Sequence, residues 1–100
     1  MNASVETIET IETNSNVEYY KKEARRLDIN IAFLKNKNRI LKNRIEILER
    51  QNNSLGNDVF SDVSIKRNEE RIGFFSVNIL SNDVKLEALY KERQIVLSKI

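Results

Sequence analysis

The sequence predicts an all-α fold, two long helices forming an antiparallel coiled-coil hairpin, on three observations. Tyr20, Leu27, Leu34, Leu41, Leu48 and Leu55 recur at every seventh residue, with Val17, Ala24, Ile31, Asn38, Ile45 and Asn52 at the matching alternate positions. A second run of the same spacing extends from Ile65 to Ile100. No proline interrupts either run. A three-four alternation sustained this long lays one packing seam along a helix, its positions written a and d of a heptad.

Residues 1–16 stand apart. They carry Glu6, Glu9 and Glu12 and no base, and VETIETIET repeats a three-residue unit with isolated aliphatics. So little apolar surface does not offset the entropy of ordering, and the segment is expected to be a disordered acidic tail. Ser15 followed by Glu18 fits a capping box, in which each side chain satisfies the other residue's free backbone N–H, and opens a first helix over 17–55. Asn52, Asn53 and Ser54 weaken its far end, and Gly56 can close it in the left-handed conformation.

Residues 56–61 (GNDVFS) form the connection. Ser61 or Asp62 can cap a second helix over 62–100, with Phe60 packing on Ile65 as a hydrophobic staple. Its seam holds Ile65, Ile72, Ile79, Leu86, Arg93 and Ile100 at a, and Asn68, Phe75, Asn82, Leu89 and Val96 at d. Gly73, the β-branched and aromatic run around it, and Ser81–Asp83 all cost helix propensity. A strand over 72–80 is the competing expectation, but no other stretch offers a sheet to receive it. A helix loosened near Ser81 is favoured.

Flanking charges decide what packs on the first seam. In a parallel pair of first helices, Glu23 would face Asp28, Lys37 would face Lys42, and Arg44 would face Glu49. Two of the three pairs repel. An antiparallel hairpin avoids that register and sets Leu27, Ile31, Leu34, Leu41, Ile45 and Leu48 against Ile65, Ile72, Phe75, Ile79, Leu86 and Leu89. Asn38, Asn52, Asn68, Asn82 and Arg93 are then polar interruptions that fix register at some loss of stability.

One seam does not use all the apolar residues. Phe33, Ile40 and Ile47 recur seven apart at c, with Ile29 at f, and the second helix carries Phe74, Val77, Leu80, Val84, Ile95 and Leu97 off its seam. Such stripes either widen the seam and build a homo-oligomer, or dock a foreign helix. Ile29, Phe33, Ile40 and Ile47 are the candidate partner-binding residues, with the surrounding Lys and Arg selecting an acidic partner.

Other chemistry finds little footing. A 100-residue helical chain has little room for a deep pocket, and with no His and no Cys it lacks the commonest general base, the thiolate nucleophile and the usual zinc ligands. No enzyme, cofactor or metal is expected. Asp58 and Asp62 lack the spacing of a calcium loop. No apolar run approaches the roughly 20 residues needed to span a bilayer, and no leader is read at Met1.

Net charge is +2, yet residues 17–55 hold ten Lys/Arg against five Asp/Glu, while 56–100 balance at seven each. The basic candidate for DNA reading, KKEARR at 21–26, already contributes Ala24 to the seam and follows an acidic segment that would repel phosphate. Lys35, Lys37, Arg39, Lys42 and Arg44 are interleaved with apolar c positions, which favours a solvated flank over an RNA or membrane surface.

The strings YYKKEARRLDINIAFLKNKNRILKNRIEILERQNNSL and IKRNEERIGFFSVNILSNDVKLEALYKERQIVLSKI, with the chain's size and its lean to Asn, Lys, Ile and Glu, resemble the phyllogens, phyllody-inducing secreted effectors of phytoplasmas. The likeness covers roughly residues 17–100 and has no short motif within it. It implies release from the bacterium in mature form and action in the host plant cytoplasm and nucleus. It further implies binding to the keratin-like coiled-coil region of floral MADS-domain transcription factors. Their delivery to the proteasome through shuttle proteins with ubiquitin-like and ubiquitin-associated domains would then turn flowers leaf-like. Neither direct nucleic-acid binding nor membrane insertion is expected.

Overall fold

A computed structural model gives two helices, α1 (Asn2–Ser54) and α2 (Val59–Leu97), packed against each other as an antiparallel hairpin. The structure describes the backbone of residues 2–100 and the side chains of residues 16–100. The helices span Asn2–Ser54 and Val59–Leu97 in place of the expected 17–55 and 62–100, and the side chains of the acidic stretch up to Ser15, with the Ser15 half of the capping box, lie outside the described residues. Among the described residues there is no strand, and 72–80 is α-helical. The β-rich composition of that stretch yields because Ile72, Phe75 and Ile79 fall at three-four spacing and are all half-buried, a pattern only a helix puts on one side.

The chain divides into two compact units, residues 33–86 and residues 1–32 with 87–100. In the first, Leu48 and Leu86 are buried, and Leu34, Leu41, Ile45, Ile65, Ile72, Phe75 and Ile79 are half-buried. Two polar layers cross this seam. Asn38, buried, donates from Nδ2 to the Asp83 carboxylate at 2.9 Å and accepts at Oδ1 from Asn82 Nδ2 at 2.9 Å. Asn68 Nδ2 donates to Asn52 Oδ1 at 2.8 Å. The layers lie two heptads apart on both helices and in opposite chain directions, which fixes the antiparallel register.

The turn of this unit differs from its sequence expectation. α1 closes without a left-handed residue, since no residue described has a positive φ. Instead Leu55 N–H donates to the Asn52 carbonyl at 3.3 Å and Ser54 Oγ to the Gln51 carbonyl at 2.8 Å. α2 is capped by Asp58 rather than by Ser61 or Asp62: its carboxylate accepts the Ser61 backbone N–H at 2.7 Å, and its carbonyl accepts from Asp62 N–H at 3.0 Å. Ser61 is thereby buried within the first turn. Phe60 is 86% exposed and so is no staple on Ile65.

In the second unit Ala24, Leu27 and Ile31 are buried, Leu27 completely, opposite half-buried Leu89, Arg93 and Val96. Arg93 occupies an apolar position, and its Nε donates to the Asp28 carboxylate at 2.6 Å. Arg26 bridges Glu23 at 2.9 Å and Glu92 at 3.4 Å. The hydrogen bond and charge of Glu23 come first among the causes that raise the Arg26 pKa above its ordinary value. Tyr19 and Tyr20 meet edge to face, ring centroids 5.4 Å apart. Ile100, expected at an a position, follows the end of α2 and is half exposed.

Candidate interaction surface

Seam and stripe separate by exposure. Phe33, Ile40 and Ile47, two turns apart along one side of α1 in the 33–86 unit, are 60, 40 and 47% exposed, whereas the seam residues beside them are buried or half-buried. Ile29, the fourth candidate, is also exposed but belongs to the other unit. The structure therefore brings Phe33, Ile40 and Ile47 into one column, with Ile29 outside their unit.

The column is basic as well as apolar. Lys37 Nζ sits 4.7 Å from the centre of the Phe33 ring, and the Arg44 guanidinium lies 5.9 Å from that of Phe75, both within cation–π range. Lys37 and Arg44, with Ile40, Leu41, Asn78 and Asn82, line a groove of about 330 Å³. A groove of about 440 Å³ is lined mainly by polar groups, including Lys35, Arg39, Lys42 and Asp83. Only the first has an Ile of the column in its wall. Covering the first buries Ile40 of the column, and each Å² of apolar area removed from water contributes about 25 cal/mol.

Electrostatics strengthens the asymmetry. From Phe33 to Ile45 the chain has five bases and no acid. Among the described residues Lys37, Arg39, Lys42 and Arg44 make no ion pair, in contrast to Arg26 and Arg93 in the other unit. The stretch of α2 from Ile72 to Asn82 contains no charge at all. The local excess of positive charge at Lys37 and Arg44 attracts an acidic partner and is screened by salt.

Sequence reasoning assigned the stripe to its aliphatic and aromatic members and missed Lys37, Arg44 and Asn78 as walls of its groove. The signal for the first two was present, a cation at g four residues after each of Phe33 and Ile40. Phe74, Val77, Leu80 and Val84 form a further exposed set on α2, each about two-thirds exposed. Among the described residues no group of acidic side chains could hold a metal ion, and no helix is long and apolar enough to cross a membrane. Comparison with protein-family models, curated proteins and solved structures finds no match to this chain.

Proposed function

We propose that the chain is a protein-interaction module, with the a/d seam as scaffold and Phe33, Ile40 and Ile47 as the surface that captures an amphipathic helix of another protein. The observation that carries this is the exposed apolar column flanked by Lys37 and Arg44, cations without a carboxylate partner among the described residues, on a hairpin whose internal seam is already filled. Exposed side chains in a row at heptad spacing match helix-in-groove recognition, in which apolar anchors supply affinity and flanking charge supplies selection. No catalytic step is part of the proposal.

The resemblance to phyllogens gives the partner a finer identity. On that basis the chain is a secreted bacterial effector that acts in the host plant cell. It captures the keratin-like coiled-coil region of floral MADS-domain transcription factors and hands them to proteasomal shuttle proteins. The support for this extension is the sequence likeness; the support for helix capture is the exposed column. A keratin-like region oligomerises through its own apolar stripes, so a hairpin with a spare stripe can take the place of one of its natural partners.

The test is direct binding of the full chain to a purified keratin-like coiled-coil region, measured by calorimetry. Wild type should bind and Phe33→Ser with Ile40→Ser should lose at least about 100-fold, the scale of two hot-spot truncations, with the helical circular dichroism spectrum retained. Binding unaffected by the double substitution excludes the column as the docking surface. Binding to duplex DNA with a steep salt dependence, alongside indifference to the coiled coil, would make the basic stretch a nucleic-acid surface instead.

A further inference from the structure

We infer that the outer face of α2 pairs two copies of this chain in parallel, through a surface independent of the column on α1. Away from the seam α2 carries a second heptad in its own register, with Val63, Val77 and Val84 at a and Val59 and Leu80 at d. These five side chains are between 53 and 75% exposed, and Phe74, at the flanking e position, is 65% exposed. The seam residues Ile72, Phe75 and Ile79 fall at c and f of this register, on the opposite side of the helix. Gly73, at d between Val77 and the amino-terminal half of the stripe, is exposed and has nothing within 4 Å of a Cβ, so a second helix backbone can come close there.

Charge names the occupant as a second copy in parallel. In a parallel pair each g residue faces the e residue five positions on in the other helix, the register that sets like charges together for the seam of α1. On the outer face of α2 the same register sets Asp62 against Arg67 of the second copy, Glu69 against Phe74 and Ser76 against Ser81, one attraction and no repulsion. Within the stripe Lys66 meets its own copy, but Glu70 of that copy lies one turn on and offsets the repulsion. Among the described residues Asp62, Lys66, Arg67 and Glu70 make no ion pair inside their own chain. An antiparallel pair centred between Gly73 and Val77 would instead set Glu69 against Asp83, which repels. From Ile72 to Asn82 no residue is charged, although 32% of the chain is, and a surface that meets its own copy gains by that lack because any charge at its centre would face its like. Covering the stripe on both copies removes on the order of 1,000 Å² from water, the lower end for a specific interface, so the pair is reversible rather than permanent.

Sedimentation equilibrium of the full chain, from micromolar to millimolar concentration, tests this with Val77→Glu and Val77→Lys. Val77 is 64% exposed in the single chain, so both variants should keep the helical circular dichroism spectrum. Wild type should dimerise reversibly. Each variant alone should associate at least about ten-fold more weakly, because residue 77 meets its own copy in the parallel register. An equimolar mixture of the two should recover association as a mixed pair. A monomer at every concentration, association unmoved by either substitution, or a mixture no stronger than its components overturns the inference. Phe33→Ser with Ile40→Ser should leave self-association unchanged. Its loss in that variant, with the Val77 variants unaffected, would place the contact on α1 and overturn the inference, whereas loss of coiled-coil capture alone keeps the two surfaces separate.

Discussion

Asp58 shows how much of this hairpin depends on single polar contacts. Its carboxylate accepts the Ser61 N–H, and the backbone and side-chain hydrogen bonds of Ser61 hold its pKa below the ordinary carboxylate value of 3.8. A carboxyl with a folded pKa below its unfolded one contributes stability that is fully present above the unfolded value and is lost as pH falls through the folded one. The first turn of α2 should therefore keep its cap at neutral pH and begin to lose it only below pH 3.8. Amide exchange at Ser61 and Asp62 should report this, and Asp58→Ala should abolish the pH step and lower the melting temperature at pH 7. Asp58→Asn, which still accepts the hydrogen bond, should keep most of the melting temperature while removing the step. Gly56 makes the complementary case: without a positive φ, and with the nearest obstruction to a Cβ at 4.0 Å, Gly56→Ala should be tolerated.

For the helices as elements, the contrast is between positions the seam needs and positions it does not. Leu27 is fully buried, so Leu27→Ala should cost about 3 kcal/mol, the usual range for a cavity in a packed site, read from chemical denaturation. Gly73 lies on the exposed side of α2 with nothing within 4 Å of a Cβ, so Gly73→Ala should stabilise by about 0.5–1 kcal/mol through helix propensity alone. Asn38 and Asn82 behave differently from either. Replacing both by Leu removes a polar layer from the seam and should raise the melting temperature, while permitting other registers and broadening the distribution of oligomers in light scattering. A single sharp species after that change would show that the asparagines do not set register.

Across the whole molecule, stability and interaction are expected to separate. Seam substitutions such as Leu27→Ala should lower the melting temperature. Substitution of Phe33, already 60% exposed, should move it by less than about 1 kcal/mol while abolishing capture of a coiled-coil partner. Equal loss of folding and capture in Phe33→Ser would mean that the c column is part of the core. Salt provides a second handle, because Lys37 and Arg44 act on an acidic partner through screened charge. Raising ionic strength should weaken capture in wild type more than in Lys37→Gln with Arg44→Gln, measured by the same calorimetry.

The sequence by itself determined the two helices, the antiparallel hairpin and the division of α1 into seam and spare stripe, because heptad spacing is a local property that needs no knowledge of the partner. It also marked Asn38, Asn52, Asn68 and Asn82 as polar seam positions. Only the tertiary structure decided which of them meet, that Asp83 joins the Asn38 layer, and that Arg93 in the seam is answered by Asp28. It likewise chose Asp58 over Ser61 or Asp62 as the cap of α2. The physical reason is common to these cases. Hydrogen-bond partners and cap positions depend on where one helix lies against the other and on the rotation of α2 as it leaves the turn. Several side chains of equal propensity compete at each such place, and geometry between elements selects among them.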